Sequence, residues 1–248
     1  MRPGRSTCMA IGLAVVAVAF AAVAASAQTL SLDLGPGGGV TERALQLITL
    51  ITLMAVAPTA LVMVTSFTRI VVVLSLLRSA LGTQTAPPNA VMIALALFLT
   101  FFIMQPTLQQ AYDAAARPLI DNQITLEQAF ERATPPFKTF MLRQVRDKDL
   151  NLFLDMSREP RPNAIEDLKL SIIVPAFMIS ELRRAFEIGF LLFLPFLVID
   201  LVVASILMSA GMMMVPPVTV ALPFKLIFFV LVDGWNLLAG SLVKSFGV

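Results

Sequence analysis

The chain has 248 residues, of which 58% are hydrophobic and only 14% are charged, and its mean hydropathy is +0.86. Soluble domains contain about 45–50% apolar and about 25% charged residues, so this composition predicts an integral membrane protein. The net charge of +2 is too small to indicate nucleic-acid binding. The sequence has no histidine and one cysteine, Cys8, which excludes a histidine general base and a disulfide within the chain.

The first 27 residues predict a secretory signal peptide. Arg2 and Arg5 form a basic beginning, the segment 9–23 is apolar, and small residues precede a cleavage site after Ala27. This order is typical of a cleaved signal. Cleavage between Ala27 and Gln28 would place Gln28 outside the cytoplasmic membrane. The alternative is an uncleaved first transmembrane helix.

The mature chain divides by composition into four parts. Residues 28–43 include the run GPGGG and predict a flexible N-terminus. Residues 44–105 form a first hydrophobic helical region, residues 106–170 a charged helical domain, and residues 171–248 a second hydrophobic helical hairpin. The pattern shows no alternation typical of strands. We therefore predict an all-α protein with membrane-inserted helical hairpins and a small helical domain in water.

Two apolar runs begin the first hydrophobic region. The segment 44–65 is long enough to span a bilayer, which takes about 20 residues. Pro58 lies within it and predicts a kink. The burst at 70–77 is too short to span, so it either extends the first helix or forms a re-entrant piece.

A predicted turn separates these runs from the next one. GTQTAPPN at 82–89 has a turn composition. We expect the following apolar run, 90–104, to end at Gln105 and Pro106, which makes its length marginal for a span.

The charged domain carries several helix signals. Thr125 and Gln128 are spaced as a capping box. Pro135 and Pro136 predict the start of another helix, and Asn163 predicts one more start. An apolar face follows the proline pair, formed by Phe137, Phe140, Met141 and Val145. We interpret this face as internal packing, with a partner-binding surface as the alternative.

A hairpin with a buried acid is predicted in the stretch 190–225. Asp200 lies deep within its apolar run, and Lys225 begins the returning arm. The bend between them contains Gly211, Met212, Met213, Met214, Pro216 and Pro217. Asp200 lies about three helical turns before the bend and Lys225 about two turns after it, so the two could meet.

Three roles are open for Asp200. A carboxylate at the centre of a membrane helix costs on the order of 2.5–3.5 kcal/mol, so it needs a partner or a water-filled cavity. An ion pair with Lys225 would fix assembly, within one hairpin or between neighbouring copies. A proton relay and a neutral, protonated Asp200 are the alternatives.

The three methionines of the bend suggest a soft seal. Methionine is long, unbranched and polarisable, so it fills irregular gaps and can repack. Repeated around a symmetric ring, such a loop would form a compressible plug. The alternative is a loop that faces lipid or the protein core.

Other charged residues are weaker candidates. We predict Arg69, Glu181 and Asp233 as candidate assembly contacts, and Asp233 also precedes a predicted helix break at Gly234. Surface pairs at helical spacing are expected among Glu181, Arg183, Arg184 and Glu187. The sequence contains no nucleophile–base arrangement, phosphate-binding loop or metal-ligand spacing, so it predicts neither an enzyme nor a cofactor.

A topology follows from the apolar runs. If the signal is cleaved, the segment 106–170 faces the periplasm and the last two runs form an in-and-out hairpin. Arg69, Arg78 and Lys225 then face the cytoplasm, in agreement with the positive-inside rule. The pair at 183–184 lies outside and does not agree with it.

Two blocks of sequence have a pattern that is specific to one family. The first block contains SFTRI at 66–70, LSLLRSALGTQTAPPN at 74–89 and ALFLTFFIM at 96–104. The second, which is very specific, contains FEIGFLLFLPFLVIDLVVASILMSAGMMMVPP at 186–217 and LPFKLIFFVLVDGW at 222–235. Together the blocks cover most of the predicted mature chain and resemble the FliP family of flagellar biosynthetic proteins, whose virulence-system relatives are the SctR proteins.

The resemblance implies a pore-forming core subunit of the flagellar type III export gate. Family members form the gate with FliQ and FliR, and their homo-oligomer, a pentamer, winds with FliR into a helical cone. FlhB and FlhA are further expected partners. Unfolded flagellar subunits pass through the centre. By resemblance, Met212, Met213 and Met214 form a gasket across the channel, and Asp200 and Lys225 form an intersubunit ion pair.

The resemblance also implies a location. The gate belongs to the basal body at the bacterial inner membrane, with its assembled core largely on the periplasmic side. Two other hypotheses remain open: an ion-coupled membrane transporter or channel subunit that uses Asp200, and a purely structural basal-body scaffold.

Overall fold

The computed structural model describes residues 47–49, 51–52, 55, 59, 62–83, 85–157, 168–212 and 214–247. Of the features named above, the following lie outside the described residues: the predicted signal peptide with Cys8 and the cleavage site between Ala27 and Gln28, the segment 28–43, Pro58, Asn163 and Met213. The chain divides into two compact units, residues 1–53 and 54–248. In the first unit, residues 47–49 and 51–52 are helical.

From residue 67 onward, the second unit is a succession of helices. They are α1 (Phe67–Leu81), α2 (Asn89–Ala111), α3 (Arg117–Ile120), α4 (Leu126–Gln144), α5 (Asp147–Ser157), α6 (Leu170–Ser209), α7 (Pro217–Leu231) and α8 (Gly234–Lys244). A π-helical turn, Tyr112–Ala116, joins α2 to α3. The part of the chain that the structure describes contains no strand, so the all-α prediction is confirmed.

The 40-residue helix α6 is the element against which most others pack. It contacts α1, α4, α5 and α7. At 1.5 Å per residue it is about 60 Å long, roughly twice the thickness of a bilayer's hydrocarbon core. It approaches α1 closely at Gly189, where an added Cβ would lie 2.2 Å from Leu76 Cδ1. A glycine at this position therefore allows the two helices to cross.

Two groups of buried apolar residues form the core. The larger one is centred on α1, with Ile70, Val73, Leu74 and Leu77 almost inaccessible to solvent. The smaller one joins α4 to α6 and contains Met141, Leu168, Ile173 and Phe177. The apolar run at 70–77, which is too short to span a bilayer, is thus the buried centre of the second unit.

Several helices are long and apolar enough to cross a membrane. Among the described residues, these are the stretches Asn89–Ile120 and Leu170–Ser209. The pair α7 and α8 is a third candidate, bent by 64° at the break between them. This agrees with membrane-inserted helices and with the helix break predicted at Asp233 and Gly234.

The structure confirms two local predictions. The turn at 82–89 separates α1 from α2. The capping box forms at the start of α4, where the Gln128 backbone N–H donates to Thr125 Oγ1 at 3.3 Å and the Thr125 N–H donates to Gln128 Oε1 at 3.2 Å.

Two predicted helix boundaries at prolines are wrong. The helix α2 continues through Gln105 and Pro106, and α4 runs through Pro135 and Pro136. A proline removes one backbone hydrogen bond and disfavours a helix interior. Here the helices α2 and α4 pack against each other, and tertiary contacts outweigh the local signal.

Candidate functional site

The bend between α6 and α7 is closed by a Schellman motif. The Gly211 N–H donates to Met208 O at 3.1 Å, and the Met212 N–H donates to Leu207 O at 2.9 Å. Gly211 has φ +75°, a left-handed conformation that glycine adopts without steric cost. The motif turns the chain out of α6 after Ala210.

The other side of the bend is set by two prolines. Pro216 is the residue before α7, and Pro217 is its first helical residue, where the missing N–H would have no partner in any case. Between the glycine and the prolines, the two described methionines are exposed. Met214 is 98% exposed and Met212 is 53% exposed.

The root of this hairpin carries an ion pair. Lys225 Nζ donates to Asp200 Oδ2 at 2.7 Å and to Ala80 O at 3.0 Å. Lys225 is almost fully buried, whereas Asp200 is partly exposed. Ala80 lies in the last turn of α1, where carbonyls lack a partner within the helix and a cation is favoured. Lys225 therefore ties α6, α7 and the end of α1 together.

The structure brings Asp200 and Lys225 together within one chain. They bond because α6 and α7 pack side by side below the bend. This is one of the two arrangements that the spacing allowed, and the intersubunit pairing implied by the resemblance stays a prediction. The Asp200 Oδ1 atom is buried and has no hydrogen-bond partner, so the site does not use all of its acceptors.

A second polar site is centred on Arg69 of α1. Both Arg69 and Glu181 of α6 are 0% exposed. Arg69 Nε donates to Glu181 Oε2 at 2.8 Å, and Arg69 Nη2 donates to Glu181 Oε1. The pair is bidentate, which matches the planar guanidinium to the carboxylate. Burial lowers the pKa of the Arg69 guanidinium, and the hydrogen bond from Arg69 to Glu181 opposes that shift.

Three further hydrogen bonds use the remaining N–H donors of Arg69. Arg69 Nη1 donates to Ser245 O at 3.1 Å and to Ser245 Oγ at 2.9 Å, and Nη2 donates to Gln144 Oε1 at 3.1 Å. A guanidinium has five N–H donors, and the five bonds of Arg69 match that number. The centroid of the Phe246 ring lies 3.7 Å from Arg69 Cζ.

The predicted surface pairing of Glu181 is wrong. Glu181 is buried and bonds Arg69, which is 112 residues away in sequence. Arg184 is partly buried and approaches Gln144 Oε1 at 3.4 Å. The i,i+4 prediction is confirmed for Arg183 and Glu187, which form an exposed pair at 2.9 Å.

Ser180, next to Glu181, fixes the corner between α4 and α5. The Arg146 N–H donates to Ser180 Oγ at 3.1 Å, and Ser180 Oγ donates to Asp149 Oδ2 at 2.7 Å. Sequence reasoning missed this contact and the roles of Gln144, Ser245 and Phe246. Their partners lie far away in the chain, and no local spacing signals them.

Asp233, the third candidate assembly residue, lies at the break between α7 and α8. It has φ +51°, and its Oδ2 accepts from Asn236 Nδ2 at 3.1 Å on the surface. Among the described residues, no group of acids or cysteines has the arrangement of a metal site. The two polar sites of interest are thus the Arg69 centre and the hairpin with its ion pair.

Comparison with known proteins gives consistent matches. The FliP family model matches residues 50–242. The flagellar biosynthetic protein FliP of Caulobacter vibrioides is 59% identical over 242 residues, which cover 98% of this chain and 91% of that protein. The protein of the same name from Pectobacterium carotovorum subsp. carotovorum is 52% identical, covering 96% and 92%. That of Bacillus subtilis (strain 168) is 54% identical, covering 81% and 91%.

Proposed function

The chain belongs to the FliP family of flagellar biosynthetic proteins, and on that basis we propose that it is a pore-forming core subunit of the flagellar type III export gate. In this proposal unfolded flagellar subunits pass through the centre of an oligomer, across the inner membrane. The methionine loop seals that channel between passages. The protein acts by assembly and gating and not as an enzyme.

The observation that carries the proposal is the exposed tip of the α6–α7 hairpin. Gly211 and the prolines turn the chain, and Met212 and Met214 project away from the folded unit. Long, flexible thioethers repack easily around an irregular object. Several such tips around an axis would close a hole and still yield to a passing polypeptide. We propose the same role for Met213.

The ion pair supports a structural role for Asp200. Its carboxylate is bonded to Lys225, which also holds the end of α1. This arrangement positions the root of the hairpin, as an assembly-fixing pair would. It favours the gate over an ion-coupled transporter, in which Asp200 would have to exchange its partner during each cycle.

Large apolar surfaces on α6 and α7 support oligomerisation in or at a membrane. Leu191 and Leu201 of α6 and Val230 and Leu231 of α7 are each 60% or more exposed. Apolar patches of this kind are covered by other subunits or by lipid. We propose a homo-oligomer, a pentamer as in the family, with FliQ and FliR as neighbours and FlhB and FlhA as further partners in the basal body.

We also propose that the segment 106–170 lies on the periplasmic side. Arg69 bonds Gln144 of this segment at 3.1 Å, so it lies on the same side, and the cytoplasmic position expected for Arg69 is wrong. A reporter that works only in the periplasm should then be active when it is fused after Leu150. A reporter that works only in the cytoplasm should be inactive at the same position. Activity only in the cytoplasm would contradict this topology and the multi-pass arrangement built on it.

Purification of the tagged protein with its neighbours tests the proposed function. A gate subunit should elute as a large, detergent-stable assembly with small hydrophobic partners, and particle images should show a ring or cone with a central axis. A monomer or dimer that transports a solute after reconstitution would instead support the transporter and contradict the gate.

A further inference from the structure

The chain directly after α8 continues the buried face of that helix. The Ser245 N–H still donates to Ser241 O at 3.0 Å, and the Phe246 N–H donates to Val243 O at 3.1 Å. Phe246 is 7% exposed and follows the buried Leu238 and Leu242 at a spacing of four residues, whereas Gly247 is exposed. The segment 245–246 therefore ends the chain's contact with the core.

Three polar contacts and a hydroxyl bond hold the segment. Arg69 Nη1 donates to the Ser245 carbonyl and hydroxyl, and Gln144 Nε2 donates to the Phe246 carbonyl at 3.2 Å. The Ser245 hydroxyl itself donates to Leu242 O at 2.7 Å. Arg69 and Gln144 belong to α1 and α4, so the segment joins two helices that are distant from it in the chain.

The side chain of Phe246 lies between two groups. The Arg69 guanidinium covers it at 3.7 Å from the ring centroid, and the Phe140 ring stacks on it at 6.1 Å with an interplanar angle of 18°. A desolvated guanidinium over an aromatic face is attractive. Phe140 also contacts Phe177 of α6 edge-on, with centroids 6.0 Å apart. The Phe246 ring thus connects α1 to α4 and, through Phe140, to α6.

From these contacts we propose that the segment 245–246 is an intramolecular ligand, a latch that docks in a pocket formed by Arg69, Gln144 and Phe140. When it docks, it satisfies both Nη1 donors of a fully buried arginine and adds a contact between α1 and α4. When it is undocked, Arg69 keeps Glu181 but loses two of its five bonds and the ring that covers its guanidinium. This role concerns the protein's own conformation and does not depend on the proposed export function.

Cysteine labelling of the full-length protein tests whether the segment docks. In a Cys8→Ser background, Ser245→Cys should react with a maleimide about tenfold more slowly than Lys244→Cys, because reaction at 245 requires local opening. Ala176→Cys, at a fully buried position of α6, reports on the core. Equal reactivity at positions 244 and 245 in the native protein would overturn the proposal.

The anchor is tested by adding Phe246→Ala to each reporter variant. The thiol at position 245 should become as reactive as the one at 244, while the thiol at 176 stays protected. Phe246→Tyr should restore protection at position 245. Leu237→Ala, an apolar truncation at an exposed position of α8, should leave the labelling rates at all three positions unchanged.

Two outcomes of this second experiment would contradict the latch. If position 245 stays protected in the Phe246→Ala variant, the ring is not the anchor of the segment. If positions 245 and 176 become reactive together, the segment is an ordinary part of the core and does not open on its own.

Discussion

Arg69 and Lys225 are both buried cations that bond a carboxylate on α6, yet their surroundings differ. Arg69 uses all five of its donors, and its partner Glu181 is as inaccessible to water as Arg69 is. Lys225 has two bonds, and its partner Asp200 is partly exposed with one oxygen unpaired. All hydrogen-bond donors of Arg69 are therefore used, whereas one carboxylate oxygen of Asp200 has no hydrogen-bond partner.

From this difference we infer that the two halves of α6 have different roles. The Arg69 centre joins α1, α4, α6 and the segment after α8, so it holds the folded unit together. The hairpin is tied to that unit by Lys225 and apolar contacts, and it ends in exposed methionines. We therefore expect stability to depend most on the Arg69 centre, and function to depend most on the hairpin.

The largest loss of stability is expected from Glu181→Ala. It leaves a buried guanidinium without its counter-charge, which costs about 3–5 kcal/mol. The matched control is Glu187→Ala on the same helix, which removes an exposed pair worth about 0–1 kcal/mol. Thermal unfolding in detergent measures both. Equal effects of the two variants would contradict the distinction between the sites.

A smaller loss is expected from Lys225→Met. It removes the ion pair and leaves the Ala80 carbonyl without its donor, for a cost of about 2–3 kcal/mol. Asp200→Asn retains the bond from Lys225 to Ala80 and should cost about 1 kcal/mol. Hydrogen exchange at the last turn of α1 should rise in Lys225→Met only. A rise of the same size in Asp200→Asn would show that Lys225 serves only as a counter-ion.

Two glycines should respond to alanine with opposite signs. Gly211→Ala forces a left-handed alanine and should destabilise by about 1 kcal/mol. Gly240 is within α8 and has free space around an added Cβ, so Gly240→Ala should stabilise by about 0.5–1 kcal/mol. Unfolding midpoints compare the two. A neutral Gly211→Ala would argue that the bend does not need its φ value.

The sequence predicted features whose partners are close in the chain. The capping box at Thr125 depends on a three-residue spacing. Counting turns on either side of a visible bend allowed Asp200 to meet Lys225 within one hairpin or between copies, and the structure has the first of these contacts. The exposed Arg183–Glu187 pair follows from the helical repeat. In each case a local rule and the fold give the same answer.

The sequence could not predict contacts that depend on tertiary packing. Glu181 has a basic residue, Arg184, at suitable spacing on its own helix, so the local rule favoured a surface pair over Arg69, 112 residues away. The prolines of α2 and α4 are strong local stop signals, and packing between the two helices overrides them. The four-residue spacing of Leu238, Leu242 and Phe246 is a signal for burial, but no local signal identifies Arg69 and Phe140 as the partners of Phe246.

The most direct test separates the proposed role of the hairpin from that of the Arg69 centre. It measures the ion conductance and the unfolding midpoint of one variant. Replacing Met212, Met213 and Met214 with alanine retains the backbone of the bend but removes its long side chains. We expect an unfolding midpoint within about 2 °C of the parent protein, since Met212 and Met214 are exposed. We also expect the purified assembly to leak ions in a planar bilayer, whereas the parent assembly stays closed. A closed assembly, or a midpoint lowered as far as in Glu181→Ala, would contradict these roles.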